Sequence, residues 1–292
     1  MDRTILVGVD GSTGSEEALR WAFREARRRQ RPVTALLAWS ADGLSRDVHH
    51  RPARADDSEL EAAASVALEE AIGRADPKDV DVRRVLAQVA PVPALVESSP
   101  GVEMIVVGSH GHGPIHRVLT GSVAQGVVNH AHVPVVVVRG RSADRLGGPE
   151  ARPLPVVVGV DGSGNSVGAL RWAAQAAALR LAPLRVVYAL GRADPLYPDL
   201  VLSGQAELLR RAQAMLDETV GKGLASAAAV AVDTVIAPDS ASRALLQEAR
   251  GAQLLVVGRR GHGGFTDLLL GSVSYQSILH AACPVAVIHD ED

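Results

Sequence analysis

The sequence predicts an open, doubly wound, parallel α/β fold that occurs twice along the chain. Three observations carry this prediction. The first is an internal repeat. Ile5-Leu6-Val7-Gly8-Val9-Asp10-Gly11-Ser12 returns as Val156-Val157-Val158-Gly159-Val160-Asp161-Gly162-Ser163, and Ala18-Leu19-Arg20-Trp21-Ala22 returns as Ala169-Leu170-Arg171-Trp172-Ala173, both 151 residues on. Met104-Ile105-Val106-Val107-Gly108 and Gly121-Ser122-Val123 return as Leu254-Leu255-Val256-Val257-Gly258 and Gly271-Ser272-Val273, now 150 residues on. The second observation is that short Val/Ile/Leu runs alternate with longer amphipathic or Ala-rich stretches, the signature of βα units joined by right-handed crossovers. The third is that the strand runs are continuously apolar rather than alternating, as expected where helices cover both faces of a parallel sheet.

Taken in order, the first half offers strands at 3–9, 33–39, 80–88, 103–107 and 134–138, with helices at 14–29, 58–74, 93–99 and 122–131. The second offers strands at 155–160, 184–190, 230–236, 253–257 and 284–288, with helices between them. Each half thus predicts a five-stranded sheet. Between Val89 and Pro100 the first half carries Pro91, Pro93 and Pro100, where the second has a longer helical pattern. Pro93 suits the first turn of a helix, while Pro91 and Pro100 are expected to shorten it. The stretch from Gly140 to Pro153 is rich in Gly, Pro and charge without apolar periodicity and reads as a linker. The expected organisation is a domain at 1–139, a linker at 140–153 and a second domain at 154–292.

Composition narrows the function classes. With 30 Lys and Arg against 33 Asp and Glu, the formal net charge is -3, and aromatic residues make up 3% of the chain. Neither an electrostatic footprint for nucleic acid nor a base-stacking platform is present. The single cysteine, Cys283, precedes Pro284 at the start of an apolar run and reads as a buried small hydrophobe. The apolar run at the N-terminus is too short for a signal peptide, and no window reaches the 18 apolar residues of a membrane span. A cytoplasmic protein with no nucleic-acid or membrane partner is the expectation.

Open α/β sheets bind ligands beyond the carboxyl ends of their strands, at the switch point of strand order. Candidate residues are therefore those that follow strands. After the fourth strand come Gly108-Ser109-His110-Gly111, nine residues, and Gly121-Ser122-Val123; the second half has Gly258-Arg259-Arg260-Gly261, nine residues, and Gly271-Ser272-Val273. In this Gly-x2-Gly-x9-Gly-Ser pattern, Gly108 and Gly111 are expected to turn tightly with positive φ and to let a ligand approach the backbone. Gly121 and Ser122 open the next helix, whose free N–H groups and dipole suit a phosphate. Ser122 also fits an N-cap, with Gln125 completing a capping box. The pattern is neither the Walker lysine loop nor the dinucleotide Gly-x-Gly-x-x-Gly, since Asp10 stands where the second glycine would be. Asp10 and Asp161 end their strands facing the glycine loop; Asp followed by Gly-Ser is also good turn chemistry.

These residues resemble the universal stress protein family in its tandem-domain form, over nearly the whole chain. The resemblance rests on Val9-Asp10-Gly11-Ser12, on the two glycine loops, and on the closing strands at Val133-Pro134-Val135 and Cys283-Pro284-Val285. It implies an adenine nucleotide alpha hydrolase-like (Rossmann-like) fold and, in the ATP-binding branch, a nucleotide across the strand ends. Asp10 and Asp161 are then expected at the ribose, and the residues ending the second strand, Trp39 and Ala189, beside adenine. Val107, Gly108 and Gly111, with Val257, Gly258 and Gly261, line the adenosine and phosphates. Gly121, Ser122 and Val123, with Gly271, Ser272 and Val273, hold the phosphates. Trp39 is larger than the small aliphatic residue expected beside adenine.

His110, His112 and His116, with His262, are read as solvated residues near phosphate rather than metal ligands, since no further ligands or supporting shell accompany them. Arg117, Arg259 and Arg260 suit either the phosphate tail or solvent. Ser40 to Asp57 is polar and reads as a loop near the pocket mouth. The leading reading is an ATP-binding regulator or sensor of a stress or dormancy response, taking ATP with or without Mg²⁺. A slow ATPase or nucleotidyl-transfer enzyme is the alternative from another class, and a non-binding protein-interaction module the third. No nucleophile–base pair or paired carboxylates stand beside the loop, so activity beyond weak ATP hydrolysis is not expected. The two repeats are expected to form an intramolecular pseudo-dimer through edge strands 134–138 and 284–288, with homodimerisation of the whole chain a further expectation.

Overall fold

In the first half, β1 (Thr4–Val9), β2 (Val33–Ala38), β3 (Val82–Ala87), β4 (Val102–Gly108) and β5 (Val135–Val138) pair in the order β3-β2-β1-β4-β5. Every pairing is parallel. The chain steps outward from β1 through β2 to β3, then crosses back to β4 and β5, which puts the switch point between β1 and β4. The helices are α1 (Thr13–Arg29), α2 (Asp57–Ala75), α3 (Pro91–Glu97) and α4 (Ser122–His130). The second half repeats the plan with β6 (Val156–Gly159), β7 (Leu184–Ala189), β8 (Val232–Ala237), β9 (Leu254–Gly258) and β10 (Val285–Ile288), ordered β8-β7-β6-β9-β10. Its helices are α5 (Gly164–Leu179), α6 (Pro198–Leu224), α7 (Ala241–Glu248) and α8 (Ser272–His280). The computed structural model describes residues 3–39, 57–111, 121–139, 153–191, 198–225, 230–261 and 269–289. The chain divides into units at Met1–Asp144 and Arg145–Asp292; residues 140–152 of the expected linker lie outside the described residues.

Two glycines show why helices cover both faces of a sheet. The register Val7↔Val106 places Gly8 beside Val107, so Gly8 and Gly108 present opposite faces. An ideal Cβ on Gly8 would lie 3.0 Å from Leu95 Cδ1 of α3, whereas one on Gly108 would lie 2.7 Å from the backbone of Gly14 in α1. Helix α3 therefore sits directly on one face and α1 on the other. In the second unit Gly159 gives the same room to Leu245 of α7, at 2.7 Å. One edge strand of each unit carries charge: Arg83 and Arg84 of β3 and Asp233 of β8 are exposed, which discourages further pairing at those edges.

The proline expectation is corrected. Pro91 does not shorten α3; it opens it at the first helical position, with Ala90 as N-cap. The missing N–H is one that a first turn leaves unpaired anyway. Helix α3 is one residue shorter than α7, which continues into a single 3-10 turn at Ala249–Gly251.

One charged cluster is confined to the first unit. The side chain of Glu25 is wholly buried in α1 and pairs with Arg29 at 2.5 Å; Arg29 also reaches Glu103 at 2.6 Å, and Arg31 reaches Glu103 at 3.0 Å. Glu103 lies at the amino end of β4, away from the carboxyl ends where a ligand is expected. Ala176 stands where the repeat would place Glu25.

Candidate functional site

The carboxyl end of β1 leads into Asp10-Gly11-Ser12, and here a left-handed backbone is required: Gly11 has φ 82° and Gly162 has φ 84°. Asp10 Oδ1 accepts from the Ser12 N–H at 3.0 Å and from the Ser12 hydroxyl at 2.6 Å. Ser12 Oγ accepts in turn from the Ser15 N–H at 3.2 Å, which caps α1. The same chain recurs at Asp161, Ser163 and Ser166, at 3.0, 2.6 and 3.2 Å. One carboxylate oxygen thus holds the turn that starts the helix. The other, Oδ2, faces the glycine loop: an ideal Cβ on Gly111 would stand 2.5 Å from Asp10 Oδ2, and one on Gly261 would likewise collide with Asp161 Oδ2. The turn is thus held through Oδ1, and Oδ2 is the oxygen beside the glycine loop.

The glycine loops corrected one expectation. Gly108 and Gly111 do not adopt positive φ, nor do Gly258 and Gly261. Their absent Cβ matters through close approach. Gly108 packs against Gly14, and Gly14 is itself crowded by the His110 carbonyl. The loop is pinned on both sides. The Ser109 N–H donates to Val138 at 2.8 Å, and the Gly121 N–H donates to the Ser109 carbonyl at 2.7 Å. In the second unit Arg259 N–H bonds Ile288 at 2.7 Å, and Gly271 N–H bonds the Arg259 carbonyl at 2.9 Å. These bonds bring the start of α4 or α8 onto the end of β4 or β9.

A second correction concerns the cap. The N-cap of α4 is Gly121, not Ser122, so the capping box with Gln125 does not form; the Gln125 N–H donates to the Gly121 carbonyl at 3.1 Å. Helix α8 starts likewise at Gly271. Neither N-cap has a side chain to satisfy the first-turn N–H groups, and Ser122 and Val123, like Ser272 and Val273, contribute theirs to that turn. Val107 and Val257 are buried core residues, with Val107 Cγ1 3.4 Å from the Cβ position of Gly8, so only their backbone faces the strand ends.

The adenine-side pairing needs the largest correction. The Trp39 N–H donates to Ala87 at 2.8 Å, and the corresponding bond in the second unit runs from Leu190 to Ala237 at 2.9 Å. Leu190, not Ala189, is therefore the equivalent of Trp39; Ala189 matches Ala38 and points to the other face. Trp39 is 4% exposed, whereas Leu190 is half-buried. Sequence reasoning also missed Asn165, which replaces Gly14 and whose Nδ2 donates to the Arg260 carbonyl at 3.4 Å, and Met215, whose Sδ lies 3.1 Å from the Cβ position of Gly162. The 151-residue offset signals the first substitution and the Leu190 match; nothing in the sequence signals the contact of Met215. His112, His116, Arg117, His262 and the segment 40–56 lie outside the described residues. Among the described residues there is no group of three or more His, Cys, Asp or Glu side chains arranged to hold a metal, and no helix long and apolar enough to cross a membrane. Burial pushes the guanidinium of Arg139, one residue beyond β5, below its ordinary value.

The family model of the universal stress proteins matches residues 1–139 and again 154–289. The chain belongs to the universal stress protein family. A universal stress protein of Mycobacterium tuberculosis is 36% identical over 291 residues, covering 97% of this chain and 96% of the relative. Another, of Mycolicibacterium smegmatis, is 33% identical over 294 residues, covering 97% and 96%. A crystal structure of a universal stress protein from Archaeoglobus fulgidus shares the fold, with a TM-score of 0.67 at 19% identity over 98% of both chains. This tandem universal stress protein thus carries, in each repeat, an aspartate, a close-packed glycine loop and a glycine-capped helix gathered at the switch point.

Proposed function

We propose that this universal stress protein binds an adenine nucleotide, ATP with or without Mg²⁺, and acts in a stress response as a regulator whose signal is nucleotide occupancy. The observation that carries the reading is the convergence, twice, of Asp10 or Asp161 Oδ2 with a glycine loop and a helix start that has no side-chain cap. A carboxylate beside a glycine suits a ribose diol, whose two hydroxyl groups can each donate to it. The first-turn N–H groups of α4 and α8 suit phosphate oxygens. In this reading Asp10, Gly108, Gly111, Gly121, Ser122 and Val123, with their counterparts Asp161, Gly258, Gly261, Gly271, Ser272 and Val273, form the site. Val107 and Val257 line it through their backbone, and the residue after β2 or β7, Trp39 or Leu190, stands at the base position. Binding alone serves as the function, because backbone amides hold phosphate without reacting with it.

The test is calorimetric titration of nucleotide-free protein with ATP, with Gly111→Val/Gly261→Val alongside. Saturable binding by the wild type, lost in the double variant, is the expected outcome. A wild type that binds no ATP sinks the proposal and turns attention to protein partners.

A further inference from the structure

We infer that the two repeats are unequal and that the second takes the nucleotide, while the Trp39 indole occupies the base position of the first. The inference rests on the nucleotide reading above and names which copy of the site is used. Three differences at equivalent positions separate the repeats, and the first and third point the same way. The first is volume. Trp39 and Leu190 share one place in the ladder beyond β2 and β7, yet Trp39 is 4% exposed and Leu190 only half-buried. Indole and adenine are both fused five- and six-membered rings of nearly equal size. A buried indole at the strand end therefore fills the space a purine would need, whereas a half-buried leucine leaves an apolar wall for a ring to lie against.

The second difference is the gap between the first turn of the leading helix and the loop. In the first repeat an ideal Cβ on Gly108 would stand 2.7 Å from Gly14 C and O, so backbone packs on backbone. In the second, the Cβ position of Gly258 is 3.2 Å from the Arg260 carbonyl and 3.4 Å from Asn165, and a side chain has been admitted between the two segments. The third is charge. The loop reads Ser109-His110 in the first repeat and Arg259-Arg260 in the second. The Arg259 Nε–H donates to the Leu269 carbonyl at 2.8 Å, two residues before the glycine cap of α8. Two arginines beside that helix start favour a polyphosphate more than the serine and histidine that replace them in the first repeat.

The test exchanges the two residues in the full chain and counts sites by calorimetric titration with ATP. The wild type is expected to bind one ATP per chain. Leu190→Trp is expected to weaken that binding at least ~tenfold, by crowding the base, and Trp39→Leu to raise the count to two. Thermal melts establish that each variant is folded; if Trp39→Leu is not, Leu190→Trp still decides. Two equal sites in the wild type overturn the inference while leaving the nucleotide reading intact, as does a folded Trp39→Leu with one site or a Leu190→Trp of unchanged affinity. A wild type that binds nothing overturns the nucleotide reading and this inference with it.

Discussion

Gly108→Ala and Gly258→Ala make the same chemical change at equivalent positions, and the structure assigns them different costs. At Gly108 the new methyl group would lie 2.7 Å from Gly14 C and O and 3.1 Å from Ser15 N. These are backbone atoms in the first turn of a capped helix, so no side chain can swing aside and α1 must move off β4. Overpacking of this kind costs about 1–3 kcal/mol. Alanine also restricts the unfolded chain, which returns about 0.4–1 kcal/mol where the native φ is acceptable, as it is here. The net loss is about 1–2 kcal/mol. At Gly258 the nearest atoms are the Arg260 carbonyl at 3.2 Å and Asn165 at 3.4 Å, a few tenths of an ångström to be taken up by a loop, so the two effects roughly cancel to within about 0.5 kcal/mol. A global melt of a two-unit chain would mix these effects, so native-state hydrogen exchange is the assay. Amides of Ile105, Val106 and Val107 in β4 are expected to exchange roughly five- to thirtyfold faster in Gly108→Ala, with β9 unchanged. Amides of Leu255, Val256 and Val257 should change about twofold at most in Gly258→Ala. Equal acceleration in the two variants, or none in Gly108→Ala, would refute the claim that α1 packs more tightly on the sheet than α5.

Further outcomes follow from other contacts. Glu25→Ala takes one carboxylate from the buried Arg29, which still reaches Glu103, and is expected to cost about 3 kcal/mol in denaturant unfolding, with Glu25→Ala/Arg29→Ala costing less than the sum of the two single changes. Ser12→Ala and Ser163→Ala each remove the cap of the leading helix and a donor to the preceding aspartate; each should cost about 1 kcal/mol, read as faster exchange at the start of α1 or α5. The Arg27 guanidinium, hydrogen-bonded at 2.8 Å, holds the exposed Asp79 carboxyl below its ordinary range. Because that value is depressed by folding, its contribution is present above the unfolded value of about 3.9 and is lost as pH falls through the folded one. Arg27→Ala should return the Asp79 titration, followed by NMR, towards the ordinary value.

Most of the fold was legible because parallel strands buried on both faces leave unbroken apolar runs, and every predicted strand in both halves overlaps an observed one. The candidate site was legible in its residues and less so in their reasons. Gly108 in a loop motif reads equally well as a left-handed turn or a close approach; only the position of Gly14, far away in sequence, decides for close approach. Pro91 reads as a breaker or a first helical residue until its backbone is known. Trp39 and Ala189 were paired as the ends of their strands, but which residue ends a strand is set by ladder hydrogen bonds, and these match Trp39 with Leu190.

The comparison of the two halves separates what the fold requires from what it permits. Both keep the Asp-Gly-Ser turn, whose left-handed glycine and three hydrogen bonds the start of the leading helix needs whether or not anything binds. Repetition of that turn is therefore weak support for a ligand. Gly258 is more telling. Backbone contact all but forbids a side chain at Gly108, while the space around Gly258 would accept alanine with a small adjustment, and no positive φ demands glycine there. A glycine that its own fold barely requires, set beside two arginines and a helix start without a side-chain cap, is what close approach of an anion from outside the chain would call for. The excess of glycine over steric need is thus greater in the second repeat at Gly108 and Gly258, although the helix-capping pair runs the other way, with 3.5 Å of clearance at Gly121 against 3.2 Å at Gly271.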